Sequence, residues 1–212
     1  MPHCFARIGA AHHLLRNAND MHRAIWSLYP DYGGERPRLL YRVENWDAAA
    51  LRDSGDLAPV LVLAPDPPAD NGNPDITILD AKPFTPSIAE GAVLSFSVVA
   101  LQTRSAINAA VVGTQPRAEW TRGSRVYLVG EEDRRRWLSR QLEPIARLLE
   151  ARVIEAKDIY FAKASASGWY KTCRMFGLLE VRDPEAFIRL LEKGFGKGKA
   201  YGCGLMTIGR PS

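Results

Sequence analysis

The stretch Lys193-Gly194-Phe195-Gly196-Lys197-Gly198-Lys199-Ala200-Tyr201-Gly202-Cys203-Gly204-Leu205 joins a helix predicted over Pro184–Lys193 to a strand predicted over Leu205–Ile208. Five of its thirteen residues are glycine and three are lysine. Glycine lets a backbone turn with positive φ and approach a ligand closely, and exposed N–H groups and ammonium charge both favour phosphate. The composition therefore predicts either a phosphate-binding loop or a plain glycine turn between helix and strand.

The spacing of this stretch differs from that of the familiar phosphate loops. A Walker A loop needs a glycine five residues before its Gly-Lys pair and a Ser or Thr after it, but Lys193 and Ala200 occupy those positions. A dinucleotide fingerprint needs a final glycine and a following helix, whereas Lys199 stands there and the helix comes first. Lys193–Gly196 matches the first half of the RNP1 strand of RNA-recognition domains, and Lys197 then replaces an aromatic residue. Nucleotide-cofactor loops are therefore excluded, and nucleic acid stays open.

Composition sets wider limits on the class of protein. The chain has 212 residues, of which 46% are hydrophobic and 25% charged, as expected for one large or two small folded domains. No apolar run approaches the length of a membrane span, and the N-terminus lacks the layout of a signal peptide. Cys4, Cys173 and Cys203 have no CxxC spacing, so neither a disulfide framework nor a metal site is predicted, and a reducing cytoplasm fits best. The net charge of +4 permits an anionic partner without requiring one.

The first part of the chain contains one predicted helix among several predicted strands. The helix begins near Asn17, a favourable N-cap, carries Asp20 in its first turn and ends before Pro30. The strands are predicted from apolar or alternating patterns over Cys4–Ile8, Leu39–Glu44, Val60–Ala64 and Ile76–Leu79. This order predicts an α+β fold of ferredoxin-like type with a seam over Pro83–Pro86. We therefore expect one domain over residues 1–86 and another over residues 87–212.

The second part of the chain is predicted to run strand, helix, strands, helix and strand, which is again an α+β order. Its predicted strands are Ala92–Leu101, Val153–Phe161, Cys173–Val181 and Leu205–Ile208. Its predicted helices are Glu131–Glu150 and Pro184–Lys193, the second with Asp183 as its cap and a proline at its first position. Two α+β units of similar order are therefore expected.

Basic side chains mark two connections in this second part. Arg104, Arg122 and Arg125 lie in an excursion from the first strand that is predicted to be a β-hairpin or a loop able to reach a phosphate backbone. A solvated connection with incidental charge is the alternative. Lys163 and Lys171 lie in a loop of small residues with two aromatic side chains, between two predicted strands.

His22 is the side chain best suited to proton transfer. All four histidines fall within the first 22 residues, and only His22 lies on a predicted helix. It follows Met21, a member of the buried stripe, so it lies about 100° around the helix from that residue. Its ordinary pKa near 6.5 suits acid–base chemistry at neutral pH. A surface or half-buried helix histidine without a chemical role is the alternative.

Four separated segments resemble the CasE endoribonucleases, which cut CRISPR repeat RNA in type I-E Cascade systems. Gly194–Leu205 resembles the family signature G-I-G-x-x-K-x-x-G-x-G-L, and Arg174–Val181 resembles the strand F-x-G-x-L-x-V that precedes it. Met21–Pro30 resembles the first helix, L-H-x-x-L-W-x-L-F-P, and Tyr41–Glu44 fits the strand after it. The segments occur in the family's order, so the resemblance covers the whole chain, loosely between Asp47 and Ala92.

The resemblance implies two tandem ferredoxin-like (RRM-like) domains that bind the hairpin of a CRISPR repeat. It implies cleavage at the 3′ base of the stem without a metal or other cofactor, by attack of a 2′-OH on the adjacent phosphorus. The products would be a 2′,3′-cyclic phosphate and a 5′-OH. His22 matches the catalytic histidine of the family. The partners implied are the crRNA hairpin and other Cascade subunits, among them the backbone subunit at the crRNA 3′ end.

The resemblance and the distribution of charge together predict a set of RNA contacts and leave one gap in the chemistry. The predicted RNA contacts are Arg104, Arg122, Arg125, Lys163, Lys171, Arg174, Gly194, Gly196, Lys197, Gly198, Lys199 and Gly202. The family commonly has a tyrosine one turn before the histidine, where this chain has Asn19, which cannot transfer a proton. A second proton-transfer group would then be one of Tyr29, Tyr32, Tyr170, Lys163 or Lys171.

Two other functions remain open at this point. The chain could be a catalytically weak RNA-binding subunit that only anchors the crRNA 3′ hairpin. It could also be an unrelated RRM-like protein that binds single strands by aromatic stacking.

Overall fold

The N-terminal sheet is antiparallel, with strand order β2-β3-β1-β4. The computed structural model describes residues 3–34, 36–107, 122–128, 130–155 and 158–211, except for the side chains of residues 104–107, 122–126 and 155. Helix α1 (Ala18–Trp26) joins the first strand to the second, and helix α2 (Ala48–Ser54) joins the second to the third. The strands are β1 (Cys4–Ala10), β2 (Leu40–Val43), β3 (Ala58–Ala64) and β4 (Ile76–Pro83).

The C-terminal sheet is also antiparallel and has the order β12-β5-β11-β8. Its strands are β5 (Val93–Ala100), β8 (Ala146–Glu155), β11 (Cys173–Val181) and β12 (Met206–Gly209). Helix α3 (Glu131–Leu142) leads into β8, and helix α4 (Pro184–Lys193) connects β11 to β12. The buried side chains of these helices share a core with β11: Leu138, Leu142, Phe187, Leu191, Met175 and Leu179.

Strand order and crossovers identify the fold class. In the C-terminal sheet, the order of strand, helix, two strands, helix and strand, with the last strand beside the first, is the ferredoxin-like arrangement. The N-terminal sheet has the same strand order, but residues 65–75 join β3 to β4 without a helix, and α2 stands between β2 and β3 instead. The predicted α+β class is confirmed. The boundary at residue 86 remains a prediction.

Two hairpins extend from the C-terminal sheet. Strands β6 (Thr103–Ile107) and β7 (Arg122–Tyr127) pair antiparallel, and residues 108–121 between them lie outside the described part of the chain. Strands β9 (Ile159–Lys163) and β10 (Ala166–Tyr170) form the second hairpin, where the sequence predicted a loop. None of the helices in the described ranges is long and apolar enough to cross a membrane.

The predicted helix Glu131–Glu150 and the predicted strand Val153–Phe161 were wrong in their bounds. The helix ends at Leu142 because Pro144 disfavours helical backbone at Glu143, which is extended with ψ near 140°. Residues 146–155 then pair with β11. The apolar residues after Pro144 therefore alternate along a strand instead of continuing the helical stripe. The helix Pro184–Lys193 is confirmed, and the side chain of Asp183 accepts a hydrogen bond from Ala186 N at 2.9 Å.

Arg42, which is only 3% exposed, joins the two sheets. Its Nη1 donates to Ser97 O on β5 at 2.7 Å and to Leu205 O at 3.3 Å, and its Nη2 donates to Thr207 Oγ1 on β12 at 3.1 Å. Its Nε donates to the Glu44 carboxylate. A buried guanidinium is tolerated only when its donors are satisfied and its charge is paired, as they are here. Strand β2 is thereby held against β5 and β12.

Candidate active site

The glycine-rich stretch is fixed to the C-terminal sheet at both ends. Phe195 N donates to Gly204 O at 2.8 Å, and Gly204 N donates to Val99 O on β5 at 2.8 Å. The Phe195 side chain is buried in the C-terminal core. Gly204 has φ +89°, and a Cβ there would lie 2.4 Å from Phe195 O. Hydrogen bonds and a buried side chain therefore fix the glycine-rich stretch in place, so it is more than a plain turn between helix and strand.

Replacing Gly204 by alanine should lower the free energy of unfolding by about 2 kcal/mol or more, because a left-handed conformation and a backbone clash are both imposed. Gly34→Ala is the matched control. Gly34 is exposed, its φ lies outside the left-handed region, and it has open space around it, so its change should stay within about 0.5 kcal/mol. Urea unfolding curves measure both. Equal midpoints for the two variants would contradict the strain at Gly204.

His22 and Lys199 line the same cleft, although they lie near opposite ends of the sequence. Helix α1 supplies His22, and a single 3₁₀ turn, Lys199–Tyr201, supplies the lysine. The cleft, which we call the His22 cleft, has a volume of about 640 Å³. Its lining is completed by Trp26, Arg36, Pro37, Arg38, Leu39 and Ala200. The segment that precedes β2 thus adds two guanidinium groups to the histidine and the lysine.

Tyr41 on β2 connects the two sides of this cleft from beneath. Its side chain is fully buried, and its hydroxyl donates to Ala200 O at 3.0 Å, with Ala18 O at the start of α1 3.4 Å away. The N-cap side chain of Asn17 also exchanges two hydrogen bonds with the backbone of Ala162 on β9, at 2.9 and 3.2 Å. Helix α1 is therefore fixed to the glycine-rich loop and to the second hairpin. These contacts set the position of His22.

The surroundings of His22 favour a neutral imidazole. Its ring lies 6.2 Å from the Trp26 ring and 6.3 Å from the Tyr41 ring, between centroids. Nδ1 is buried and accepts no hydrogen bond from, and donates none to, the described residues. This leaves Nε2 as the ring nitrogen that can reach a molecule in the cleft. Burial lowers the pKa of His22 below its ordinary 6.5, and the Arg36 guanidinium lowers it further. At pH 7 the ring can accept a proton.

Lys199 and the two arginines make the cleft suited to an anion. Lys199 Nζ donates to Gly196 O within the loop. Burial lowers the pKa of Lys199, and the nearby charges of Arg38 and Lys193 lower it further. The Arg36 guanidinium lies 5.3 Å from the centroid of the Trp26 ring, which holds it over the cleft. Positive charges this close repel one another, and a phosphate group bound between them would reduce that repulsion.

The five groups predicted for a second proton transfer do not line the His22 cleft. Tyr32 donates to the Asp66 carboxylate at 2.7 Å, and burial together with Asp66 raises its pKa to about 12. Burial also raises the pKa of Tyr29. Lys171 lies 3.7 Å from an Asp158 carboxylate oxygen, Lys163 is exposed at the end of β9, and Tyr170 belongs to an aromatic cluster. Among the residues that line the cleft, Lys199 is the one suited to this role.

The predicted RNA contacts fall into three groups. Gly196, Lys197, Gly198 and Lys199 line a second cleft that adjoins the first. Gly194 and Gly202 line neither cleft. A Cβ on Gly194 would lie 2.5 Å from the Leu40 side chain, and a Cβ on Gly202 would lie 3.2 Å from the Tyr41 ring. Packing against β2 therefore requires glycine at both positions. The remaining contacts lie elsewhere: Lys163, Lys171, Arg174, Arg104, Arg122 and Arg125.

Those remaining basic residues are only partly described. Arg104, Arg122 and Arg125 lie on the β6–β7 hairpin, and their side chains are outside the described part of the structure. Arg174 on β11 is half-buried, with Nη2 3.5 Å from a Glu44 carboxylate oxygen near the sheet junction. Its RNA contact remains a prediction.

Arg36 and Arg38 were missed at the sequence level. The signal that could have found them is a pair of arginines around a proline, directly before the strand predicted from Leu39. Asn19, in place of the expected tyrosine, lies on α1 and does not line the His22 cleft. Any second proton-transfer group therefore has to come from another element.

Comparison with known proteins finds similarity to CRISPR-associated proteins. The profile of a family described as CRISPR associated protein matches residues 5–210. The chain is similar to the CRISPR system Cascade subunit CasE of Escherichia coli, with 25% identity over 197 residues that cover 91% of this chain and 92% of that protein. It is also similar to the CRISPR-associated endoribonuclease Cse3 of Thermus thermophilus, with 28% identity over 221 residues, 94% of this chain and 93% of that protein.

A solved structure supports the same relation. Thermus thermophilus Cse3 bound to an RNA that represents a pre-cleavage complex superposes with a TM-score of 0.75 at 26% identity. The match covers 99% of this chain and all of the other. The two tandem ferredoxin-like sheets are therefore shared with a protein whose RNA-bound state has been solved.

Proposed function

The chain belongs to the CRISPR-associated protein family, and from this premise we propose that it is an endoribonuclease that binds the hairpin of a CRISPR repeat RNA and cuts it at the 3′ base of the stem. The observation that carries this proposal is that His22 and Lys199 line one cleft together with Arg36 and Arg38. A proton acceptor and several cations within one cleft are what phosphodiester cleavage by an internal hydroxyl requires.

The reaction uses the RNA's own 2′-OH as the nucleophile. The 2′ oxygen forms a bond to the adjacent phosphorus while the bond from phosphorus to the 5′ oxygen breaks, which leaves a 2′,3′-cyclic phosphate and a 5′-OH. One proton leaves the 2′-OH and one reaches the departing oxygen, so no water or redox partner is consumed. We assign His22 Nε2 to accept the first proton because the imidazole is neutral at pH 7.

Lys199 is assigned to charge stabilisation and to the second proton transfer. Its ammonium stabilises the charge that develops on the non-bridging oxygens, and its lowered pKa makes it a better proton donor to the departing 5′ oxygen than an ordinary lysine. Arg36 and Arg38 add fixed positive charge. Side chains thus supply the charges that a metal ion would otherwise provide, and cleavage should proceed without one.

Binding of the hairpin depends on shape and phosphates. An A-form stem presents a deep, narrow major groove, so charge along its backbone should dominate affinity. Lys197, Lys163, Lys171 and the arginines of the β6–β7 hairpin are the proposed contacts. After cleavage the protein stays on the 3′ hairpin of the crRNA and contacts the backbone subunit of a Cascade complex. We place it in the cytoplasm, since Cys4, Cys173 and Cys203 are all free thiols.

Cleavage of a repeat hairpin by the wild-type protein in EDTA tests the proposal. We expect one cut at the 3′ base of the stem, with the stem-loop product retained. Tight binding without cleavage would instead show that the protein only anchors the RNA. Asn19 in place of a tyrosine favours that alternative. Cleavage that EDTA abolishes would overturn the metal-free chemistry, and preference for unpaired RNA would overturn hairpin recognition.

The pH dependence of cleavage should report the titration of His22. At subsaturating protein the rate should rise as pH increases, because the neutral imidazole is the proton acceptor, and level off above the pKa. Since burial and Arg36 lower that pKa, the midpoint should fall below 6.5. Arg36→Gln should move the midpoint upward. A rate that falls between pH 5 and 7, or a midpoint above 6.5, would contradict the assignment of His22 as the base.

A further inference from the structure

A second cleft of about 430 Å³ adjoins the His22 cleft. The two clefts share Arg38, Lys199 and Ala200, so Lys199 stands at the border between them. Tyr170, Tyr201 and Lys197 also line the second cleft. Its volume falls within the range of about 300–1,000 Å³ typical of small-molecule sites. We call it the tyrosine cleft.

The aromatic side of the tyrosine cleft is rigid. The Tyr170 ring stacks on Phe161, with 4.7 Å between centroids and 14° between planes. The Tyr201 ring lies 5.2 Å from each of those two rings. Tyr201 is carried by the same 3₁₀ turn as Lys199, two residues further on. A platform of supported aromatic rings next to cationic side chains suits a nucleobase joined to a phosphate, because every base has a face that can stack.

The position of the tyrosine cleft limits which nucleotide can occupy it. A phosphate at Lys199 has one nucleotide on each side, and the two clefts meet at that lysine. The 2′-OH that attacks belongs to the nucleotide on the 5′ side, so this nucleotide occupies the His22 cleft. A cut at the 3′ base of the stem leaves the next nucleotide outside the stem and unpaired, with its base free to stack on protein.

We propose that the tyrosine cleft binds the first unpaired nucleotide on the 3′ side of the cleavage site, with its base against Tyr201 and Tyr170 and its 3′ phosphate near Lys197. This site rests on the proposed function. It places the departing strand and so helps to set the position of the cut. Because the stem-loop product lacks this nucleotide, the tyrosine cleft contributes to substrate binding and not to retention of the product.

The test compares three RNAs that can be bound but not cut, because the nucleotide before the cleavage site is 2′-deoxy. The first extends several nucleotides beyond the site, the second is the same RNA with an abasic residue directly after the site, and the third ends at the site. The wild-type protein should bind the first RNA about tenfold more tightly than the second, since a stacked base is worth on the order of 1–3 kcal/mol.

Tyr201→Leu should remove most of that tenfold difference, whereas Tyr201→Phe should keep it. Tyr160→Leu is the matched control, because Tyr160 lies on the same hairpin as Tyr170 but pairs with Trp169 and lines neither cleft. All variants should bind the third RNA equally. Two results would overturn the tyrosine cleft as a nucleotide site. One is that the affinity losses from the abasic residue and from Tyr201→Leu add independently. The other is that Tyr201→Leu weakens binding of the third RNA as much as binding of the first.

Failure of the proposed function gives a different pattern. If the wild-type protein bound none of the three hairpins, hairpin recognition and the nucleotide site would both be overturned. If it bound all three hairpins but left an all-ribose hairpin uncut, the catalytic proposal would be overturned while the affinities still decided the nucleotide site.

Discussion

Replacing His22 by alanine is expected to slow cleavage of a bound repeat hairpin by about 10²–10⁴-fold, the range for loss of a positioned acid–base group. Its Nδ1 is buried, and only Nε2 can serve a molecule in the cleft. Alanine therefore removes the proton acceptor while the cations that hold the phosphate remain. Affinity for the hairpin should change by less than about threefold, since the lost contact is one neutral side chain among many phosphate contacts.

Single-turnover cleavage at saturating protein, together with equilibrium binding, measures both effects of His22→Ala. His13→Ala is the control, because His13 is exposed, its Nε2 lies 3.4 Å from an Asp75 carboxylate oxygen, and it does not line the His22 cleft. Its rate should match the wild type. A wild-type rate for His22→Ala would remove His22 from the mechanism, and a loss explained wholly by weaker binding would make it a binding residue.

Replacing Lys199 by alanine is expected to lower the rate for bound RNA by about 10²–10³-fold, as for other removed groups that stabilise developing charge. Lys199 borders both clefts and combines a positive charge with a lowered pKa. Its loss affects the transition state more than the ground state, because negative charge grows on the non-bridging oxygens as the 2′ oxygen bonds to phosphorus and on the 5′ oxygen as its bond to phosphorus breaks. Affinity should fall only a few-fold, as for one phosphate contact.

Lys82→Ala is the control for the loss of one positive charge, because Lys82 is an exposed residue of β4 outside both clefts. It should change neither rate nor affinity measurably. Lys199→Arg adds a second distinction. It keeps the charge but cannot give up its proton, so it should restore affinity and only part of the rate. Full recovery with arginine would limit Lys199 to an electrostatic role.

The fold was predictable where local chemistry decides structure. Asn17 caps α1, and Asp183 with Pro184 starts α4, because capping needs only the side chain and the next few residues. The end of α3 was also decided locally, by Pro144, but the apolar residues after it continued a helical pattern and masked β8. Helix α2 carries a short buried stripe with only Leu51 in the core, which is too little for a periodic signal.

The residues of the site were predictable singly and not as a group. His22 and Lys199 each had a local reason to be chosen, but their meeting depends on Tyr41 and Arg42, whose long-range hydrogen bonds join β2 to the loop and to the C-terminal sheet. No local pattern records such contacts. For the same reason the five candidates for the second proton transfer were chosen by residue type, and none of them reaches the cleft.

The most direct measurement of the central claim is the identity of the RNA ends after cleavage of a repeat hairpin in EDTA, with and without a 2′-deoxy nucleotide before the cleavage site. If His22 and Lys199 direct attack by the RNA's own 2′-OH, the all-ribose hairpin gives a 2′,3′-cyclic phosphate and a 5′-OH, and the 2′-deoxy hairpin is bound with equal affinity but stays intact. Cleavage of the 2′-deoxy hairpin, or products with a 3′-OH and a 5′-phosphate, would contradict it.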